Sequence, residues 1–191
     1  MRARDNPFAT HRLDAIPYLP QGETWGGSLQ RLEDLGWRGA VVGAEGSGKT
    51  ALLHDLAPRL EALGFIVHFF RLNPMRGAIP QGGLVGLSGA SSPRLFVLLD
   101  DTERLGKPVL RQFLRASSAW GGLVMATHFA GIMPTWVKCE TSPRLLQSLA
   151  RDLLGAHVEG MDELCRQLFA IHRGNIRSAL LALYDRWAAD G

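Results

Sequence analysis

One octapeptide limits the folds open to this chain more than any other feature. Gly43-Ala44-Glu45-Gly46-Ser47-Gly48-Lys49-Thr50 fits the pattern G-x-x-x-x-G-K-[ST]. Its flanks matter as much as its letters. Ahead of it, residues 39–42 form a short apolar run that reads as a buried strand; behind it, Leu53, Leu56, Leu60 and Leu63 recur at helical spacing. A strand that turns through glycines into a helix start gathers backbone N–H groups at the positive end of the helix dipole, which makes a cradle for phosphate oxygens. In such a cradle Lys49 reaches the outer phosphates and the Thr50 hydroxyl is placed to ligate magnesium.

The other apolar runs extend this unit into a sheet. Residues 65–72, 95–99, 123–126 and 136–139 are strand-sized, and the first two are the continuous runs found in strands covered on two faces. Helical spacing appears over 28–35, where Leu29, Leu32 and Leu35 precede a stop at Gly36, and again after Pro108, at Leu110, Phe113 and Leu114. Pro58 predicts a kink or an early end in the helix that follows the octapeptide. Five glycines between Gly77 and Gly89 predict a long loop over 73–93. Beyond 141 no strand is expected. Helices begin at Ser142-Pro143, at a cap on Asp162 and at a cap on Asn175, with Gly174 ending the second. The opening, 6–18, reads as an extended arm anchored by Phe8, Ile16 and Tyr18. Alternating strands and helices predict an α/β fold: a three-layer sandwich around a five-stranded, mostly parallel sheet, closed by a short C-terminal helical lid. The expected divisions are an arm over 1–27, a core over 28–141 and the lid over 142–191.

Composition sets outer bounds. A chain of 191 residues with 46% hydrophobic and 20% charged residues is expected to form one compact domain with at most a small appendage. No apolar run approaches the ~20 residues of a membrane helix, and residues 1–10 lack the apolar segment of a signal peptide, so a cytoplasmic protein without a membrane span is expected. Cys139 and Cys165 are too few for a disulfide framework and read as buried free thiols. The formal charge is only +3, and no DNA-reading motif is present, which makes specific nucleic-acid binding unexpected.

A second group of residues follows the apolar strands. In Leu95-Phe96-Val97-Leu98-Leu99-Asp100-Asp101 the strand delivers a carboxylate, Asp100, suited to the water shell of a phosphate-bound magnesium ion. Where another strand lies between this one and the glycine-loop strand, the next acidic residue polarises an attacking water. Asp101 occupies that position, with Glu103 in the same turn as a rival. Thr127 and His128 follow the fourth run and are candidates to hydrogen-bond the terminal phosphate or the water, while Arg177, two residues after Asn175, is a candidate to stabilise transition-state charge.

Together the glycine-rich octapeptide, the Leu-Leu-Asp-Asp strand, the Thr-His pair and Gly174-Asn175-Ile176-Arg177 resemble an AAA+ ATPase, a member of the P-loop NTPases. In that family these segments are Walker A, Walker B, sensor 1 and sensor 2, and the resemblance spans about residues 36–187. The opening Asn6-Pro7-Phe8-Ala9-Thr10 also resembles small bacterial ATPases of this broad type. The resemblance implies ATP and Mg2+ as ligands and an ATP-hydrolysing switch that remodels a protein partner. It also implies a homo-oligomer with an arginine finger from Arg111, Arg115 or Arg144, and adenine beside Ile16 or Tyr18. The chain departs from the family in having Asp101 where Glu is usual. That keeps open a nucleotide-binding module that does not hydrolyse. A small-molecule kinase using Arg71, Arg76 and Arg94 is a third possibility.

Overall fold

The computed structural model describes residues 6–13, 15–18, 22–72, 92–155 and 158–189. Among them the chain forms, in order, α1 (Thr10–Leu13), α2 (Trp25–Asp34), β1 (Arg38–Gly43), α3 (Lys49–Ala62), β2 (Ile66–Arg71), β3 (Ser92–Asp100), α4 (Lys107–Ala116), β4 (Trp120–Thr127), β5 (Thr135–Cys139), α5 (Pro143–Leu154), α6 (Met161–Ile171) and α7 (Ile176–Ala189). Short 3-10 turns at Thr102–Arg104 and Ser117–Ala119 flank α4. No described helix is long and apolar enough to cross a membrane.

The fold is α/β. Its sheet has the order β2-β3-β4-β1-β5, and the pairs β2–β3, β3–β4 and β4–β1 are parallel. Register follows from burial. Side chains alternate between the faces of a strand, yet Phe96, Val97, Leu98 and Leu99 are all fully buried, as are Leu123, Val124 and Met125. Both faces of the central strands are therefore covered, and these strands read as unbroken apolar runs for that reason. On one face Val97, Leu99, Leu123 and Met125 pack with Phe113, Leu110 and Leu114 of α4. Gly122 is needed on the other: a Cβ there would lie 2.2 Å from the Phe96 ring.

The chain divides into two compact units. One comprises residues 19–43 and 52–138 and carries the sheet; the other comprises 1–18, 44–51 and 139–191. In the second unit Leu146, Ala150, Cys165, Ala179 and Leu183 form an apolar cluster with Phe8, which is fully buried. Asn6 caps this contact, donating from Nδ2 to the Tyr184 carbonyl at 2.9 Å, while the Phe8 ring meets Trp187 edge-on. The arm is thus less extended than its prolines suggest, since it forms α1, and its anchor residue Phe8 packs among the C-terminal helices.

Several boundaries depart from the sequence reading. Helix α2 starts at Trp25, three residues ahead of Ser28, because the Thr24 hydroxyl accepts from Gly27 N–H at 3.2 Å and caps it there. Pro58 neither ends nor shortens α3, which runs on to Ala62; the proline is exposed and lies on the solvent side. Asp162 does not cap α6. Gly160 takes that place with φ +77°, and Asp162 lies within the first turn. Ser142 and Asn175 do cap as expected, accepting from Leu145 N–H at 3.1 Å and Ser178 N–H at 2.9 Å. The expected loop lies outside the described residues over 73–91, and Ser92 and Pro93 belong to β3. Both cysteines are buried free thiols.

Candidate functional site

Strand β1 ends at Gly43 and α3 begins at Lys49, so the octapeptide forms a strand-to-helix loop. Ala44 and Glu45 are exposed, while Ser47 and Lys49 are buried. Gly46 and Gly48 have φ of +71° and +90°, a region that disfavours any side chain. Lys49 folds back over the loop and donates from Nζ to the Ala44 carbonyl at 2.8 Å. The Ser47 hydroxyl is buried and has no hydrogen-bond partner among the described residues, an arrangement that costs free energy unless a ligand or water completes it. Glycine backbone, an orphaned buried hydroxyl, an ammonium and a helix start are a donor set suited to phosphate oxygens.

Two residues from distant parts of the sequence press on this loop. A Cβ at Gly46 would lie 1.9 Å from Asn175 Oδ1, and one at Gly48 would lie 3.7 Å from the Tyr18 ring. The Tyr18 phenol oxygen accepts from the Cys139 thiol at 3.8 Å. Burial, reinforced by Cys139, pushes the Tyr18 phenol above its ordinary value. Burial likewise raises the Cys139 thiol, against the opposing effects of the Tyr18 hydrogen bond and the Lys49 charge. Both groups therefore stay neutral near pH 7. Of the two residues expected near adenine, Tyr18 stands against the loop, whereas Ile16 packs on the helical cluster. Arg177 lies in the first turn of α7 and is exposed.

The acidic candidates sit at and just after the carboxyl end of β3, beside β2 and β4 in the sheet. Asp100, 1% exposed, is the register partner of Arg71. Arg71 Nε lies 3.8 Å from Asp100 Oδ2 and 3.5 Å from Asp101 Oδ2, so one guanidinium faces both acids. Asp101 has φ +58°, makes no side-chain cap on the following turn, and donates its N–H to Asp100 Oδ1 at 3.0 Å. Glu103 is held otherwise: its Oε1 lies 3.3 Å from His128 Nε2. Thr102 binds the same neighbourhood together, donating from its buried hydroxyl to the Ala126 carbonyl at 2.7 Å. Thr127 is buried, and its Oγ1 lies 3.3 Å from Phe129 N.

This unit thus brings together Asp100, Asp101, Glu103, Thr127 and His128. Sequence reasoning gave no role here to Thr102 and placed Arg71 elsewhere. An arginine ending one apolar strand and an acid ending the next was the available signal for Arg71. Arg94 donates to the Gly64 carbonyl at 3.1 Å, and Arg76 lies outside the described residues. Arg111, Arg115 and Arg144 are exposed. Among the described residues no three His, Cys, Asp or Glu side chains gather into a metal cluster.

No family model and no curated protein matches the chain. Among solved structures, a chain of the "Structure of E. coli MS115-1 HORMA:CdnC:Trip13 complex" aligns with a TM-score of 0.44 and 12% identity, covering 78% of this chain and 73% of that chain. A likeness this distant carries no argument about function.

Proposed function

We propose that the chain is an AAA+-like P-loop ATPase of three-layer architecture, which binds magnesium ATP and uses hydrolysis to switch its contacts with a protein partner. The observation that carries this reading is the glycine loop, where a buried, unpartnered Ser47 hydroxyl stands between two glycines of positive φ, immediately before Lys49 at a helix start. The sheet order supports it too, since β4 lies between β1 and β3, the arrangement in which an acid after β3 polarises water. In this reading residues 43–50 hold the phosphates, Thr50 and Asp100 hold magnesium, and Arg177 binds the terminal phosphate. Magnesium supplies neutralisation of phosphate charge. Asp101 or Glu103 orients the attacking water, and Thr127 or His128 steadies the water or the terminal phosphate.

A second reading, nucleotide binding without hydrolysis, draws support from the acids themselves. Asp101 is turned toward Arg71 by a left-handed backbone, and Glu103 is engaged by His128. Calorimetric titration tests the binding step: Lys49→Ala should weaken magnesium ATP about a hundredfold, the loss of a charged hydrogen bond, with the melting temperature preserved. Unchanged affinity in that variant overturns both readings. Turnover then separates them. Hydrolysis that disappears in Asp101→Ala or Glu103→Ala selects the ATPase, and tight binding with no turnover selects the module.

A further inference from the structure

We infer that Asn175 is a positioning residue for the glycine loop, fixing its shape at Gly46 in addition to capping α7. The inference rests on the phosphate-cradle reading of that loop. Capping alone does not require asparagine, because serine, threonine or aspartate supplies the one oxygen that Ser178 N–H needs. The same carboxamide, cap oxygen included, also faces the loop. A Cβ on Gly46 would lie 1.9 Å from Oδ1, 2.5 Å from Cγ and 3.0 Å from Nδ2, so the whole carboxamide forms a wall against the Gly46 backbone.

That wall is firmly seated. Just beyond Asn175, Ile176, Ala179, Leu180 and Leu183 of α7 are buried in the helical cluster, and Asn6 and Phe8 fasten the other end of the helix through Tyr184 and Trp187. Gly174, with φ +83°, sets the entry into the cap, and its N–H donates to the Phe169 carbonyl at 2.9 Å. A loop that cannot relax into this wall keeps its N–H groups arrayed before ligand arrives, which reduces the ordering cost of binding. Gly46 is then glycine for two reasons, its backbone angle and the side chain opposite.

The test is a double-mutant cycle on the full chain, read by magnesium ATP titration and by melting temperature. Asn175→Ala removes the whole carboxamide, cap oxygen included. It should lower the melting temperature by the loss of one cap and weaken ATP about fivefold to tenfold, whereas Gly46→Ala should weaken ATP about a hundredfold and melt earlier. Combining the two should return affinity to about the level of Asn175→Ala alone and lower the melting temperature by clearly less than the two single losses summed, because the clash is gone. A double variant in which the losses simply add overturns the inference, since the backbone angle alone would then set the requirement. Full ATP affinity in Asn175→Ala overturns it as well. Wild-type protein that binds no ATP removes the cradle reading, and the coupling in melting temperature then decides whether Asn175 shapes the loop.

Discussion

The glycine loop after β1 and the acidic turn after β3 both bury polar groups at the end of an apolar strand, and they satisfy them in opposite ways. The acidic turn compensates itself. Arg71 faces Asp100 and Asp101, His128 faces Glu103, and the Thr102 hydroxyl closes on the Ala126 carbonyl. The loop, by contrast, leaves the Ser47 hydroxyl without a partner among the described residues, and its shape comes from Asn175 and Tyr18, which belong to distant parts of the sequence. Self-compensation lets a turn be stable by itself, whereas a loop that leaves a buried donor open depends on outside walls.

The comparison makes the loop's unit dependent on remote packing, and that dependence can be broken. Phe8 is fully buried against the helices whose first member-contact with the loop is Asn175, so Phe8→Ala should cost about 3–5 kcal/mol in urea unfolding. A cost below about 0.5 kcal/mol, the range of ordinary surface changes, would show that the arm is not part of that unit. For comparison, Phe129→Ala at a 71% exposed position should fall within that small range.

A smaller loss is expected in the acidic turn. Thr102→Val keeps the volume but removes the donor to the Ala126 carbonyl, and should cost about 1–3 kcal/mol in the same assay. No measurable loss would mean that Arg71 and His128 suffice to hold the turn.

The smallest effect depends on pH. Burial, with a further push from Asp162, raises the Cys165 thiol to about 11, while an unfolded thiol titrates near 8.5. A neutral thiol favoured in the folded state contributes fully below the unfolded value, and that contribution is lost as pH rises from there toward about 11. The melting temperature should therefore fall more steeply over that interval in the wild type than in Cys165→Ala, a variant less stable throughout. Parallel slopes would show that Cys165 does not titrate in its folded setting.

How much of this was legible in the sequence follows the same division. The strands could be read because burial on both faces makes β3 and β4 nearly unbroken apolar runs, and the acids follow them directly. The caps at Ser142 and Asn175 were legible because capping is local, a side chain reaching three residues ahead. Thr24 obeys the same rule, but it lies inside the stretch 1–27 read as the arm, so the helix was expected only from residue 28. Asp162 failed because a left-handed Gly160 precedes it and begins the helix earlier. The second role of Asn175, the stand of Tyr18 beside Gly48 and the meeting of Arg71 with two acids are contacts across long stretches of chain. No spacing rule reports such contacts.

The seating of Phe8 among α5, α6 and α7 has a consequence for synthesis. A ribosome delivers Phe8 well before the helices that enclose it, so the apolar ring must wait in the nascent chain while the glycine loop and the sheet emerge. The wall that Asn175 raises against Gly46 arrives later still. A newborn chain therefore has its octapeptide long before it has the scaffold that shapes it, and the loop takes its final form only after residues 143–189 have emerged.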